Sequence, residues 1–293
     1  MRVVKAPAKL NLALHVLGRR PDGYHELDTM VVFVPEMADF ISLEPAEKFS
    51  FSTTGPYATS LSEEEKKGGL HAPNLICKAV RFLNERVAID TSFHLTLTKN
   101  IPLGAGLGGG SADAAAALRL VLYSKGKELR DFDLKISDLA QIGADVPMCY
   151  AGKTAFARGV GEKIMPCELS APLPLVLVCP LEHASTSEIF HHLDLDAVSG
   201  PILKGTAASK KEYDADFLKT LKNDLTDAAI KTCPVVQDVL NALDQTEGCR
   251  FSRMTGSGTA CWGIFNSIGD AEKAAEKLSQ ETSWLCRAVW VGP

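Results

Sequence analysis

A glycine-rich segment near the middle of the chain constrains its fold more than any other feature. Five of the seven residues from Gly104 to Gly110 are glycine, and a run of alanines follows them. The alternating residues 93–98 predict a strand that leads into this segment, and Ser111 is the predicted N-cap of a helix running to about Tyr123. Glycine lets the backbone approach a ligand closely, and a helix N-terminus presents unpaired N–H groups. The segment therefore predicts a backbone cradle for an anion such as phosphate.

Other glycine-rich patterns match this segment only in part. A dinucleotide site would need an acidic residue about 20 positions on, after a second parallel strand. Glu128 and Asp131 lie near that position, but in a polar stretch without strand character. A P-loop would place a lysine before Ser111, and the His-Arg-Asp and Asp-Phe-Gly triplets of protein kinases are absent. A purely structural turn is a further alternative, although such a turn needs no cluster of unpaired donors.

The composition is that of an ordinary globular protein. Of the 293 residues, 46% are hydrophobic and 23% are charged, and no apolar run approaches the roughly 20 residues that span a bilayer. The formal net charge of −5 argues against a nucleic-acid partner, because such proteins carry a basic face. The eight cysteines are scattered, with no Cys-x-x-Cys pair and no apparent secretory signal. We therefore expect a cytoplasmic monomer or homodimer without a nucleic-acid or membrane partner.

The first half of the chain predicts a sheet with helices. A Pro-Asp-Gly turn at residues 21–23 separates the first two strands. The predicted strands cover residues 9–16, 29–34, 41–43 and 49–53. Apolar periodicity predicts helices at residues 73–83 and 134–142, whereas the polar residues 55–72 predict a solvated loop or helical turn.

The second half predicts an α+β domain because strands and helices alternate along it. The predicted elements are strands at residues 175–179, 260–265 and 288–291, helices at residues 235–243 and 270–278, and a polar connector at residues 200–216. We therefore predict two domains, residues 1–157 and residues 158–293.

Three motifs in order resemble those of the GHMP small-molecule kinases. Residues 102–115 resemble the triphosphate loop of that family, residues 6–12 resemble its N-terminal motif, and residues 254–258 resemble its third, C-terminal motif. The resemblance spans most of the chain. It implies an ATP-dependent kinase that uses Mg²⁺ and a small-molecule alcohol as acceptor. It also implies a two-domain α+β fold, with an N-terminal mixed β-sheet plus helices and a C-terminal α+β domain.

Three further segments narrow the resemblance within the family. Residues 18–25, 108–113 and 142–147 resemble those of the enzymes that phosphorylate the 2-hydroxyl of diphosphocytidyl-methylerythritol in non-mevalonate isoprenoid biosynthesis. The alternatives are another acceptor, such as mevalonate, homoserine or a sugar, and a binding module without catalysis. Where many members of the family have paired serines, this chain has Gly109 and Gly110, which excludes a serine ligand for magnesium at these two positions.

The resemblance assigns the chemistry to Lys9 and Asp145. Asp145 is expected to take the proton from the acceptor hydroxyl, and Lys9 is expected beside it, because a nearby cation favours the carboxylate. From the residues alone, Asp145 is better explained as the N-cap of a helix that begins near Pro147, and the motif match reverses that preference. Asn11 could orient the substrate or Lys9, or make a structural hydrogen bond.

The resemblance also assigns residues to the two substrates. The ATP contacts are Pro102, Leu103, Gly104, Ala105, Gly106, Leu107, Gly108, Gly109, Gly110, Ser111, Asn74 and Lys99. The acceptor contacts are Asn11, Tyr24, His25, Asp145, Ser185, Thr186, Phe190, Gly256 and Ser257. Tyr24, His25 and Phe190 are expected around the cytosine. The structural alternatives are core packing for Phe190, a helix cap for Ser185 and a tight turn for Gly256 and Ser257.

Three details complete the prediction. Residues 223–225 resemble a segment of the family's second domain. Asp113, in what is expected to be the first helical turn, would repel a phosphate unless it faces away or Mg²⁺ intervenes. Magnesium is expected on ATP, held chiefly by phosphate oxygens and water. The neighbouring His191 and His192 fit a helix surface better than a metal site.

Overall fold

A computed structural model describes residues 2–202 and 213–292 of the chain, which folds into two compact units. The first unit comprises Met1–Lys9, Pro35–Leu103 and Gly108–Gly152, and the second comprises Leu10–Val34, Gly104–Leu107 and Lys153–Pro293. The single domain boundary after residue 157 stays a prediction. Of the predicted connector at residues 200–216, residues 203–212 lie outside the described residues.

The described residues form eleven strands and nine α-helices. The strands are β1 (Arg2–Arg19), β2 (His25–Pro45), β3 (Ser50–Thr54), β4 (Lys67–Gly68), β5 (Phe93–Thr98), β6 (Ala155–Gly159), β7 (Lys163–Pro166), β8 (Leu173–Cys179), β9 (Cys249–Met254), β10 (Cys261–Phe265) and β11 (Leu285–Val291). The helices are α1 (Glu63–Lys66), α2 (Leu75–Val87), α3 (Gly109–Ser124), α4 (Val146–Ala151), α5 (Thr186–His191), α6 (Ala215–Lys219), α7 (Thr226–Thr232), α8 (Val235–Asp244) and α9 (Ile268–Glu281). None of these helices is both long enough and apolar enough to cross a membrane.

The first unit contains a mixed sheet, as predicted. Strand β5 pairs antiparallel with the second half of β2 and parallel with β3, and β4 pairs antiparallel with β3. The prediction of a separate strand at residues 41–43 was wrong, because β2 continues through them. Pro35 does not interrupt it, since the fixed φ of proline is compatible with an extended chain where its missing N–H is not needed.

Helix α3 begins earlier than predicted. Its N-cap is Gly108, which has a φ of 63°, and its first residue is Gly109, so the prediction of Ser111 as the N-cap was wrong. Glycine adopts this left-handed conformation at little energetic cost because it has no Cβ atom, and the helix therefore starts inside the glycine-rich segment. Ten residues of α3 are buried, and five of them are alanine, which allows close packing against α2 and α4.

The predictions for residues 134–142 and for residues 55–72 of the first unit fared differently. The predicted helix at residues 134–142 is only a 3₁₀ turn, Ile136–Gln141, in which Leu139 is buried. Within residues 134–142, Leu139 and Ile142 are buried but Leu134 and Ile136 are not, so the segment lacks the longer buried stripe that sustains an α-helix. In the predicted loop or helical turn at residues 55–72, Glu63–Lys66 form the single helical turn α1, capped by Ser62 as expected, but Lys67–Gly68 form the short strand β4, which was not predicted.

The second unit contains a four-stranded antiparallel sheet in the order β11-β8-β10-β9. Every residue of β8 is buried, and α8 and α9 pack on the sheet around a core that includes Val176, Val239 and Leu278. In the same unit, the first half of β2 pairs with β6, and β6 pairs with β7. The predicted α+β organisation of both halves is confirmed.

Candidate active site

Lys9 and Asp145 form an ion pair in the first unit. Lys9 lies on β1 and is 3% exposed, and its Nζ atom is 3.3 Å from Oδ2 of Asp145, whose side chain is 36% exposed. Asp145 precedes α4, but its side chain makes no capping hydrogen bond to that helix. Asp145 therefore stands at the N-cap position of α4, as the capping alternative predicted, but its side chain does not cap the helix. The carboxylate is instead held beside a buried ammonium group, with one side open to solvent.

The end of the glycine-rich segment packs on the same lysine. A Cβ atom on Gly108 would lie 2.9 Å from Cε of Lys9 and 3.3 Å from its Cβ. Position 108 therefore requires glycine for two reasons: its φ is positive, and a side chain there would collide with Lys9. This contact brings together three features that lie far apart in the sequence: the predicted base, its cation and the N-terminus of α3.

The first part of the segment, Gly104–Leu107, belongs to the second unit and packs on the third motif. A Cβ atom on Gly106 would lie 2.5 Å from the carbonyl oxygen of Thr255, and the N–H of Ala260 donates to the carbonyl of Ala105 at 3.1 Å. The predicted loop and the predicted third motif, Gly256 and Ser257 included, are therefore direct neighbours within this unit.

Asn223 holds the third motif in place. Its Nδ2 donates to the carbonyl oxygens of Met254 and Gly256, both at 2.8 Å, and its Oδ1 accepts from the N–H of Leu225 at 3.0 Å. Asn223 is 6% exposed. The segment at residues 223–225 thus has a structural task, which is to fix the backbone that faces Gly106.

Asn11 is also tied to the third motif. Its N–H donates to Oγ1 of Thr255 at 2.8 Å, and its Nδ2 donates to Oγ1 of Thr29 at 2.8 Å, which in turn donates to the carbonyl of Ala13. Asn11 is 2% exposed. These bonds fit the structural alternative for Asn11, and its contact with an acceptor stays a prediction.

Two of the residues predicted around the cytosine are in contact. The rings of His25 and Phe190 stack with centroids 4.7 Å apart and an interplanar angle of 23°. Phe190 is half-buried against the core of the second unit, so the core-packing alternative also holds in part. Tyr24 precedes His25 and is 62% exposed. Burial, together with the charge of Arg19, lowers the pKa of His25, which keeps the imidazole neutral near pH 7.

The hydroxyl residues of the second half come together as well. Oγ of Ser257 lies 2.9 Å from Oγ1 of Thr186, the first residue of α5. Ser185 is the N-cap of that helix, and its Oγ accepts from the N–H of Glu188 at 3.5 Å, as the capping alternative predicted. Thr186 is exposed and Ser185 and Ser257 are half-buried, so their hydroxyl groups can donate to an anion or a sugar.

The other residues predicted to contact ATP lie at the start of α2, along the glycine-rich segment and in the interior of the first unit. Asn74 caps α2, since its Oδ1 accepts from the N–H of Ile76 at 2.9 Å. Pro102 is buried and Leu103 is half-buried beside the loop, whereas Gly110 at the start of α3 is exposed. Lys99 is 3% exposed, and its ammonium group is bound by Asp39 and Asp113. For these residues, contact with ATP stays a prediction.

Asp113 faces Lys99 in the interior, at the fifth residue of α3 rather than in its first turn. Its carboxyl group is buried against the ammonium group of Lys99 and is not exposed at the surface where an anion would bind. Its partner Asp39 was not predicted as a site residue. Asp39 lies in the middle of β2, and a buried acid within a strand is the signal that could have singled it out.

His183 was also missed. Its ring lies so close to Gly104 that a Cβ atom at Gly104 would overlap it. Nothing in the local sequence indicates this contact, because His183 follows an exposed stretch after β8 and meets the loop only through the fold. The other missed residues are Thr29 and Thr255, whose hydroxyl groups bind Asn11.

The described residues contain no cluster of three or more His, Cys, Asp and Glu side chains that could hold a metal ion, and His191 and His192 are exposed, as predicted. Residues 2–202 and 213–292 thus offer no set of three such side chains for a Mg²⁺ ion held by the protein alone. A magnesium ion that arrives with a nucleotide needs no such set, because phosphate oxygens and water supply most of its octahedral ligands.

Two family models match the chain. Residues 74–154 match the GHMP kinases N terminal domain, and residues 206–283 match the GHMP kinases C terminal domain.

Curated relatives match nearly the whole chain. A 4-diphosphocytidyl-2-C-methyl-D-erythritol kinase of Rhodopseudomonas palustris (strain BisB18) is 40% identical over 98% of this chain and 94% of the relative. A protein of the same name from Rhizobium meliloti (strain 1021) is 40% identical over 97% of this chain and 93% of the relative.

Solved structures agree with these matches. The crystal structure of a 4-(cytidine 5'-diphospho)-2C-methyl-D-erythritol kinase has a TM-score of 0.76 and 31% identity, and the match covers 100% of both chains. A mevalonate kinase has a TM-score of 0.61 at 13% identity, with 100% of this chain and 99% of that chain covered, which shows a shared fold.

Proposed function

The chain belongs to the GHMP kinase family and is an ATP-dependent kinase of a small molecule, and we propose that it phosphorylates 4-diphosphocytidyl-2-C-methyl-D-erythritol on its 2-hydroxyl group. The products are the 2-phosphate and ADP, and the reaction belongs to non-mevalonate isoprenoid precursor biosynthesis. The acceptor is the one in the names of the curated relatives, which are about 40% identical over most of the chain.

The observation that carries this proposal is the pairing of Lys9 with Asp145 against Gly108. To catalyse phosphoryl transfer, a protein must mainly position its substrates and neutralise the charge that develops on the transferred phosphoryl group. Asp145 accepts the proton of the 2-hydroxyl as that oxygen attacks the γ-phosphorus. Lys9 keeps the carboxylate in place and offers positive charge next to the N-terminus of α3.

ATP binds along the glycine-rich segment from Gly104 to Ser111. The first N–H groups of α3 have no acceptor inside the helix and carry partial positive charge, which suits a triphosphate. Mg²⁺ accompanies ATP on its phosphate oxygens, where it neutralises part of their charge. Asn74 and Lys99 stay proposed contacts of the adenosine part.

The acceptor binds to residues of the second unit. The stacked rings of His25 and Phe190, with the exposed Tyr24, provide aromatic faces for the cytosine. The neutral His25 can both donate and accept on the edge of a base. Thr186 and Ser257, with Ser185 and Gly256 beside them, bind the diphosphate or the sugar alcohol.

The cellular setting is part of the proposal. All eight cysteines are free, which supports a reducing compartment, and we place the protein in the cytoplasm as a monomer or a homodimer.

An ADP-release assay across a panel of acceptors tests the function. The panel contains 4-diphosphocytidyl-2-C-methyl-D-erythritol, mevalonate, homoserine and a hexose, each with Mg-ATP. We expect ADP release with the cytidine compound alone, and phosphorus NMR of the product shows whether the new ester is on the 2-hydroxyl. Absence of ADP release with this acceptor would contradict the proposal. ATP binding without ADP release in the presence of any acceptor would indicate a binding module.

A further inference from the structure

Three charged side chains are buried together beneath the glycine-rich segment. Nζ of Lys99 is 2.8 Å from Oδ2 of Asp113 and also binds Oδ2 of Asp39, and the three side chains are 4%, 4% and 0% exposed, respectively. We name Asp39, Lys99 and Asp113 the buried triad. All three belong to the first unit.

The buried triad has an excess of acid. With every group ionised, it would carry one net negative charge in the interior, and an uncompensated buried charge is costly. A proton on one of the two carboxyl groups removes that charge.

The hydrogen bonds distinguish the two carboxyl groups. Asp39 accepts from Lys99 and from the backbone N–H groups of Asn100 and Ile101, so its ionised form has three donors. Asp113 accepts from Lys99 through Oδ2, whereas its buried Oδ1 has no hydrogen-bond partner among the described residues. Donors favour the ionised form of a carboxyl group, so Asp113 is the one that holds a proton.

The charges around Asp113 support this assignment. Burial raises the pKa of Asp113 to about 8; the charge of Lys99 opposes this shift and that of Asp39 adds to it. Burial acts to lower the pKa of Lys99, but the two carboxylates outweigh it and leave that pKa raised, so Lys99 stays cationic. On α4, Cys149 interacts with Asp113 and with the pair of Lys9 and Asp145, and burial raises the pKa of its thiol, which stays neutral.

The buried triad is in contact with the start of α3. A Cβ atom on Gly109 would lie 3.0 Å from Nζ of Lys99. Asp113 follows Gly109 by four residues and therefore lies on the same face of the helix, one turn further along. A phosphate on the first N–H groups of α3 raises the electrostatic cost of a second negative charge at Asp113, because like charges disfavour ionisation.

We propose that Asp113 is a positioning residue that holds a proton whenever an anion occupies the glycine-rich segment, so that ATP binding is coupled to proton uptake at Asp113. The proton comes from solvent and forms an O–H bond on the carboxyl group of Asp113, while Lys99 stays bound between Asp113 and Asp39. This inference rests on the proposed binding of ATP to the segment.

Titration calorimetry with Mg²⁺ and a non-hydrolysable ATP analogue tests the coupling. At pH 8, wild-type protein is expected to take up about half a proton per bound analogue, measured from the heats in two buffers of different ionisation enthalpy. Between pH 7 and pH 9 the dissociation constant is expected to rise about tenfold, because the binding-competent protonated form becomes the minor one.

Two variants separate Asp113 from other sources of protons. Asp113→Asn has the shape of the protonated group and is expected to show no proton uptake and a flat dissociation constant over this range. Asp133→Asn, an exposed acid of the same unit, is the control and is expected to behave like the wild type. Equal proton uptake in Asp113→Asn and wild type would overturn the inference. Failure of every protein to bind the analogue would instead overturn the proposed site for ATP.

The wild-type protein alone gives a second test, which does not depend on the folding of Asp113→Asn. The infrared carbonyl stretch of a protonated carboxyl group is expected to be stronger in the analogue-bound protein than in the free protein at pH 8.5. Absence of any such increase would contradict proton uptake at a carboxyl group.

Discussion

Nζ of Lys9 lies 3.3 Å from Oδ2 of Asp145, and Gly108 packs against the stem of the same lysine. Lys9 comes from the first strand and Asp145 from the N-terminus of α4, so the pair exists only in the folded chain. The carboxylate is not used to cap its helix, which leaves it available for chemistry.

Replacement of Asp145 by asparagine is expected to lower kcat by about 10²–10⁴-fold, the usual contribution of a positioned general base. Because the side chain makes no capping hydrogen bond, the midpoint of thermal unfolding is expected to stay near that of the wild type. Steady-state ADP release and differential scanning fluorimetry measure the two quantities. Asp133→Asn serves as control, and near-normal turnover in Asp145→Asn would remove Asp145 from catalysis.

Gly108→Ala and Gly126→Ala form a matched pair. The two glycines have φ values of 63° and 64°, but a Cβ atom at Gly108 meets Lys9 whereas one at Gly126 meets nothing within 4 Å. Each change is expected to reduce the free energy of unfolding by about 1–2 kcal/mol, because alanine is strained at this φ. Urea titration measures this loss in both variants.

The two glycine variants are expected to differ in activity. Only Gly108→Ala displaces Lys9, so only this variant is expected to lose turnover, by tenfold or more on the order of other misplacements of catalytic groups. Kinetics with saturating acceptor and varied ATP measure the loss. If Gly126→Ala loses as much turnover as Gly108→Ala, backbone strain rather than the contact with Lys9 is responsible.

Replacement of Phe190 or His25 by alanine is expected to raise KM for the cytidine acceptor roughly 5- to 150-fold, since base–aromatic stacking contributes about 1–3 kcal/mol. KM for ATP is expected to remain unchanged. The exposed His191, which follows Phe190 directly, provides the control variant His191→Ala. An acceptor KM that is insensitive to both Phe190→Ala and His25→Ala would rule out this aromatic site.

Asn223→Ala is expected to destabilise the second unit by about 2–4 kcal/mol, because it leaves the carbonyl oxygens of Met254 and Gly256 without their donor. Denaturant unfolding measures the change. The matched control is Asn241→Ala, whose side chain is exposed and whose Oδ1 accepts a hydrogen bond from Nε2 of Gln237, one helical turn earlier. Equal stability of the two variants would show that the bonds of Asn223 do not hold the third motif.

The stability of the protein is expected to depend on Asp113 as pH changes. The raised pKa of about 8, against an ordinary value of 3.8, means that the folded state binds a proton that the unfolded state has released. Asp113 therefore makes the free energy of unfolding decrease as pH rises from about 4 to about 8, with no further decrease above that range.

Asp113→Asn removes this contribution and is expected to become more stable relative to wild type as pH rises. Urea titrations of both proteins at pH 5, pH 7 and pH 9 measure the difference, with Asp133→Asn as the control. A difference between Asp113→Asn and wild type that stays constant over this range would contradict a protonated Asp113 in the folded protein.

Local patterns in the sequence determined most elements of the fold. The alternation at residues 93–98 gave β5 with the predicted bounds, and the apolar residues around 235–243 and 270–278 gave α8 and α9 within a few positions. Periodicity works there because one face of each element is buried. It failed at residues 134–142, where too few apolar side chains are buried, and at Ser111, because Gly108 could adopt the cap conformation three residues earlier.

The sequence by itself also determined the anion cradle and, through three motifs in order, the family. Only the tertiary structure decided which side chains meet: Lys9 with Asp145, His25 with Phe190, and Lys99 with two buried acids rather than with solvent. Spacing along the chain cannot predict such pairs, because they depend on how strands and helices from distant segments pack. The glycine-rich segment shows the difference between the two. The sequence identifies its glycines, but the contacts that require glycine come from Lys9, Thr255 and His183, which only the tertiary structure brings there.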